Sequence, residues 1–224
     1  MRKAKLELQL LRIVFGLMFI MGAMIFVPAW TLDFWEGWVF LFALFIPMFF
    51  VFIYMVRYER RLLEKRLNVR EKRDQQKLIQ LFNTFLFVAS MMIAGLDHRY
   101  GWSHVPFWLV IASDMTMLAG YYFFIKTMLH NEYASRVIEV QKGQKIIDTG
   151  PYAVVRHPMY AAGIFMYMFI PVALGSFWAM IPLLLLPAML VFRLLDEEKA
   201  LIKGLKGYKR YMKKVKYRLI PWIW

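Results

Sequence analysis

Six apolar stretches, at roughly 13–29, 38–56, 79–96, 105–125, 159–175 and 177–192, decide what this chain can become. Most approach the ~20 residues that an α-helix needs to cross a bilayer, and in lipid only helices and closed barrels satisfy every backbone polar group. With 61% of its 224 residues hydrophobic, the chain reads as an all-α integral membrane protein of about six transmembrane helices. The last two stretches are the shortest, and only Gly175 and Ser176 separate them. They are expected to form a tight antiparallel hairpin.

The net charge of +14 would suit nucleic acid if the basic residues shared one surface. They do not. With the N-terminus inside, four fall before or at the start of the first stretch, nine in 57–77, five in 126–156 and ten from Arg193 onward, which leaves only Arg99 outside. Such an asymmetry predicts cytoplasmic N- and C-termini and assigns the charge to topology, with no nucleic-acid partner. The outer stretches "WTLDFWEGW" (30–38) and "LDHRYGWSHVPFW" (96–108) are short and aromatic, as interface anchors are. The first stretch lacks a small-residue cleavage pattern and reads as a retained signal anchor, in a multi-pass plasma-membrane protein of prokaryotic type. No cysteine is present, and the four histidines lack ligand-like spacing, so no metal site is expected.

Residues 57–77 mix charges with leucines at helical spacing and read as a cytoplasmic continuation of the second helix, solvated along the membrane surface. Between 126 and 158, two β-branched runs flank "QKGQ", so a small hairpin or an extended loop is expected there. Gly150-Pro151 then signals a turn. Pro158 suits the first turn of the fifth helix and pushes His157 to its mouth. The chain divides into helices 1–4 with their cytoplasmic segment (1–125) and a catalytic region of loop, hairpin and tail (126–224). Nothing in it specifies an oligomeric state.

The hairpin brings "RHPMY" (156–160) beside "RLLDEE" (193–198). Arg193 and Glu197, four apart, share a helical face, while Glu198 points about a hundred degrees away, so one carboxylate can face a pocket and the other its wall. A helix N-terminus favours an anion, Glu197 a cation, and Tyr152 and Tyr160 offer aromatic faces. A ligand of that description has a carboxylate, a positive centre and an aromatic ring, and S-adenosylmethionine has all three. Arg156 is open to a role here or to headgroup contact. The tail from Arg193 to Trp224 either adsorbs to anionic lipid or covers the site. Asp114, an acid inside the fourth helix, reads as paired within the bundle.

From Asn131 onward, "TGPYAVVRHPMYAAG", the hydrophobic hairpin, "RLLDEE" and "GYKRYMKKVKYRLIPWIW" together resemble the isoprenylcysteine carboxyl methyltransferase family. The resemblance implies an S-adenosylmethionine-dependent carboxyl O-methyltransferase acting on a prenylcysteine-like or other lipid substrate, with its active site on the cytoplasmic side. It implies cofactor contacts from His157, Pro158, Met159 and Tyr160, from Tyr152, from Gln144, Lys145, Ile146 and Ile147, and from Gln141. Glu197 corresponds to the cofactor-side acid, with Glu198 beside it, and Arg193 to the partner of the substrate carboxylate. Arg193 and Glu197 are the expected catalytic pair.

Three other readings share parts of this pattern. A phospholipid N-methyltransferase would use the same cofactor but needs a base for its amine, a part His157 could take. A sterol or enone reductase would use NADPH, although the glutamate pair departs from the motif associated with it. A non-enzymatic scaffold or transporter would need more ionisable groups within the membrane than the chain offers.

Overall fold

A computed structural model describes residues 3–67, 71 and 73–224. Its helices are α1 (Lys3–Ala29), α2 (Trp35–Tyr58), α3 (Arg60–Leu67), α4 (Asp74–Tyr100), α5 (Phe107–His130), α6 (Pro158–Ala173), α7 (Met180–Leu183), α8 (Leu186–Gly204) and α9 (Tyr208–Lys214), with a 3-10 turn at Gly150–Ala153. No strand occurs among the described residues. The fold is the all-α membrane type that the apolar stretches require.

Among the described residues, four helices, α1, α2, α4 and α5, are long and apolar enough to cross a membrane. The other two expected spans differ. Helix α6 has 16 residues, about 24 Å of helix at 1.5 Å per residue. The returning arm is broken into α7 and α8. Pro182 and Pro187 explain the break, because neither has the N–H that a continuous helix would donate to Trp178 and Leu183. Leu185 instead donates to the Pro182 carbonyl, one residue short of the helical register.

Glycines set how closely the helices approach. A Cβ on Gly95 of α4 would fall against the Ile25 carbonyl oxygen of α1 and 3.1 Å from the Ala29 nitrogen, and one on Gly120 of α5 would lie 3.2 Å from the Met166 backbone of α6. Small residues admit such backbone proximity where lipid supplies no hydrophobic drive between helices. Around these crossings Ile25, Phe34, Phe40, Met91, Met117, Ile170 and Leu174 form the main core.

The far end of the bundle is polar and tied. Asp97, buried near the end of α4, accepts hydrogen bonds from the Ser103 amide and hydroxyl and from the Ser176 hydroxyl. Ser90 donates to the Ala179 carbonyl and the Phe177 amide to Ser103 Oγ. The outer segment 96–108, read from sequence as an interface anchor, therefore also fastens the hairpin turn to α4. The turn closes α6 with a left-handed Gly175 (φ +70°), whose amide donates to Val172, while Ser176 donates to Pro171.

Two further expectations change. The helix through 57–77 does not continue: Glu59 leaves helical geometry, with φ −126° and ψ 42°, and α3 starts afresh. Its Leu62 and Leu63 are buried against Leu10, Met55, Met128 and Ala134 instead of lying along a solvated surface. Residues 68–70 and 72 of that segment lie outside the described residues. Asp114 is buried with no hydrogen-bond partner for either oxygen among the described residues. The pairing expected within the bundle is therefore not seen among the described residues. Segment 126–158 takes the extended-loop alternative, turning at Gly143 (φ +76°), where the Gln144 amide donates to Gln141.

The α1–α4 contact can be tested directly. Gly95→Ala forces backbone apart and should destabilise the protein by about 1–3 kcal/mol, read as a lowered Tm in detergent. Gly16→Ala, with nothing within 4 Å of its Cβ, should stay within about 0.5 kcal/mol of the parent.

Candidate functional site

Because the far ends of α4 and α6 are tied together, their lengths decide where α6 begins. From Pro158 to the hairpin turn is 16 residues of helix, whereas α4 already begins at Asp74, 23 residues before Asp97. Two helices running the same way from that knot place the α6 mouth roughly 10 Å deeper than the start of α4. A cavity of about 550 Å³ fills this recess, within the range of pockets that enclose small ligands.

Ten of the residues expected from the sequence line it: Gln144, Lys145, Ile146, Ile147, Tyr152, His157, Met159, Tyr160, Arg193 and Glu197. They come from the loop, the 3-10 turn, the first turn of α6 and one face of α8. Three others do not line it. Gln141 shapes the loop, donating its side-chain amide to the Tyr133 carbonyl and its backbone N–H to Gln144 Oε1. Pro158 is buried at the first helical position of α6. Glu198 lies behind the wall, turned from the cavity by the rotation that separates it from Glu197.

Glu198 is the centre of a clasp. Its carboxylate accepts from Arg156 Nε at 2.7 Å and Arg218 Nε at 3.0 Å, and His157 Nε2 lies 3.3 Å away. Both Glu198 and Arg156 are buried side chains. Arg156 also donates to the Val215 and Lys216 carbonyls, while the Arg156 and His157 amides donate to the Tyr217 and Arg218 carbonyls. Arg218 stacks its guanidinium 4.9 Å above the Trp224 ring. Arg156 is thus held inside the protein, and the tail packs against it while Tyr208 and Tyr211 line the cavity. Burial pushes the Glu198 carboxyl up, but the bonds from His157 and Arg218 and the charges of His157 and Arg156 outweigh it and hold the group down at about 2.

The cavity side of α8 is quieter. Glu197 Oε2 accepts the Tyr160 hydroxyl at 2.6 Å. Tyr152 accepts from Asn131 Nδ2, and its backbone carbonyl receives the Tyr211 hydroxyl. Burial pushes the Tyr152 phenol up to about 12, so it remains a neutral hydrogen-bonding group at physiological pH.

Several lining residues come from the half of the chain without a recognised motif. Arg66 of α3 lines the cavity and donates to the Ser135 carbonyl, with its guanidinium 5.6 Å over the Phe124 ring. Burial and the charge of Arg136, which lines the cavity too, lower it to about 10. Gln80, Asn83, Thr84 and Phe87 of α4 form another wall, and the buried Asn83 Oδ1 has no partner among the described residues. The available signal was their spacing: Gln76, Gln80, Asn83, Phe87 and Ser90 recur by four and three along one helical face.

With this geometry in place, comparison with known proteins finds that residues 108–207 match the family model of phospholipid methyltransferases. The span runs from α5 to the turn before α9 and includes the loop, the α6 mouth and both glutamates. No curated protein matches the chain. Over this span the chain is similar to membrane methyltransferases, a coarser statement than the isoprenylcysteine family that its motif resembles.

The clasp carries its own test. A carboxyl whose folded pKa is depressed contributes stability that is complete above its unfolded value and is lost as pH falls through the folded one. Removing one partner of a buried ion cluster costs about 3–5 kcal/mol. Glu198→Gln should therefore lower Tm at neutral pH and speed tryptic cleavage within the tail. The difference from the parent should hold down to about pH 4.5 and fade between there and about pH 2.

Proposed function

We propose that the protein transfers the methyl group of S-adenosylmethionine to an anionic, membrane-embedded acceptor, and that the acceptor is the carboxylate of a prenylcysteine-like lipid. The observation that carries this reading is a fixed cation and a fixed acid one turn apart on one cavity wall, Arg193 and Glu197, at the mouth of a helix recessed into an apolar bundle. The 28-to-1 division of basic residues supports a cytoplasmic opening. Residues 126–224 act as the catalytic region, with one wall supplied by 1–125.

The residues present suit the cofactor. Glu197 offers a carboxylate, Asn83 Oδ1 an unspent acceptor, and Tyr152 and Tyr160 aromatic faces. Bound there, the cofactor supplies an electrophilic methyl on a sulfonium. Arg193 orients the acceptor, and Arg66 and Arg136 add positive charge to the same cavity, which favours an anionic headgroup. A carboxylate attacks without losing a proton, so no base is required, and alignment is worth effective molarities of about 10⁵–10⁸ M in well-oriented systems.

The family match favours a second reading, N-methylation of a phospholipid amine. That chemistry needs a base beside the methyl donor. His157, beside Glu198, and Glu197, which accepts the Tyr160 hydroxyl, are groups lining the cavity that could take that part. The carboxylate reading rests on the pairing of Arg193 with Glu197 and needs no base.

The purified protein should bind S-adenosylmethionine and transfer labelled methyl to a farnesylcysteine analogue in preference to phosphatidylethanolamine. Glu197→Ala should abolish cofactor binding. Arg193→Ala should lower turnover by about 10²-fold while leaving most of that binding. Reversed acceptor preference would select the second reading, and binding of NADPH in place of S-adenosylmethionine would overturn both.

A further inference from the structure

Glutamine is an uncommon residue to bury completely, yet Gln76, in the first turn of α4, is fully buried. Both ends of its amide are used. Oε1 accepts from Arg193 Nη1 at 3.0 Å, and Nε2 donates to Asp196 Oδ2 at 2.8 Å, so one side chain holds two α8 residues three positions apart, on the turn that carries Arg193 and Glu197. Asp196 is held in turn by Arg73, just before α4.

The rest of the Arg193 guanidinium is steered as firmly. Nη2 donates to the Arg136 carbonyl of the loop. Glu71 lies 3.9 Å from Nη1 and accepts from the Arg73 and Ile138 amides. Two of the five guanidinium N–H groups are thus spent on protein acceptors, which sets the plane and direction of the remaining ones. Its closest acceptors on the protein side, the Gln76 amide oxygen and the Arg136 carbonyl, are neutral, while the Glu71 carboxylate pairs with it at the longer distance of 3.9 Å. Its charge is thus shared between Glu71 and the cavity that it lines.

We propose that Gln76 is a positioning residue for methyl transfer: it aims Arg193 at the acceptor through a neutral hydrogen bond, adding no second carboxylate to the Glu71 already beside the arginine. This rests on the function proposed above and gives the N-terminal half of the chain a specific part in it. A glutamine suits the task because it both accepts from a cation and donates to an anion. A carboxylate there would set a second anion beside the arginine and repel Asp196, and an aliphatic side chain would remove one hydrogen bond from each of the two groups.

The test uses the full-length protein in detergent. Kd for S-adenosylmethionine is measured by calorimetry, and kcat and KM by labelled-methyl transfer to whichever of the farnesylcysteine analogue and phosphatidylethanolamine the parent methylates. Gln76→Glu should leave the cofactor Kd within about 2-fold and lower acceptor kcat/KM by about 10- to 100-fold, the scale of a reactant misplaced by an ångström. The same variant should recover, relative to the parent at each pH, as the pH falls through the range where a glutamate takes up its proton, about 4.3 when unperturbed. A protonated glutamate restores the donor and acceptor pattern of glutamine. Gln76→Leu should lose turnover without recovery.

A parallel loss of cofactor affinity, or a Gln76→Glu profile that matches the parent, would overturn the inference. Should Gln76→Leu fail to fold, Gln76→Glu decides alone through its pH profile. A parent that binds no S-adenosylmethionine overturns the proposed function and this inference with it. Parent turnover that Gln76→Glu leaves unchanged overturns this inference only.

Discussion

Glu198 is a carboxylate in a place where a carboxylate alone would be costly, and the rest of the site depends on how it is compensated. Isolated in an apolar interior it would take up a proton. Here Arg156, His157 and Arg218 converge on it from the α6 mouth and the C-terminal tail. Three stretches of chain far apart in sequence meet at one anion, and two amide bonds from Arg156 and His157 to the tail extend that meeting along the backbone. Fixing Glu198 also fixes the rotation of α8. Glu197, about a hundred degrees around the helix, is thereby turned into the cavity. The double acid is thus one acid to build the wall and one to face the ligand.

The opposite end of the bundle supplies depth. Asp97 gathers Ser103 and Ser176, so the hairpin turn cannot slide along α4. With that end tied, the shortness of α6 becomes functional, because every residue missing from it lowers its mouth into the membrane. An α6 of spanning length would bring His157 and Tyr160 level with the first turn of α4, beside Gln76. At 16 residues it faces Gln80, Asn83 and Thr84 instead. In the proposed function, the recess would bring a polar site within reach of both a water-borne cofactor and a lipid whose chain stays between helices.

Much of this was legible in the sequence, and its limits are physical. The four long spans, the tight turn at Gly175 and the meeting of "RHPMY" with "RLLDEE" followed from hydropathy and a two-residue connection. The broken return arm was marked by Pro182 and Pro187, but apolar composition along 177–192 outweighed them. Length and hydropathy count residues and take no account of missing N–H donors. The N-terminal contribution was harder to see. Arg66 is one basic residue among nine in 57–77, and its burial depends on α3 leaving the line of α2 at Glu59. Gln76 lies three residues before the apolar stretch at 79–96. Only its spacing to Gln80 and Asn83 distinguishes it from ordinary helix-end polarity. The Asp97 knot was hidden for a related reason: a lone acid in an aromatic outer loop acquires meaning only when a serine from the hairpin, 79 residues later, is brought to it.

In the proposed function these pieces would give Arg193 a restrained grip on the acceptor. A guanidinium free of protein contacts would close on an acceptor carboxylate with a bidentate pair, binding both oxygens and stabilising the ground state as much as the transition state. Gln76 and the Arg136 carbonyl remove two of its donors from that possibility, and the nearby Glu71 carboxylate tempers its charge. What remains favours holding an anion by one edge, with an oxygen left free to attack. On this view the polar cluster between α4 and α8 limits affinity in order to direct it. In the proposed function, that is the use of burying a glutamine and a glutamate beside this arginine.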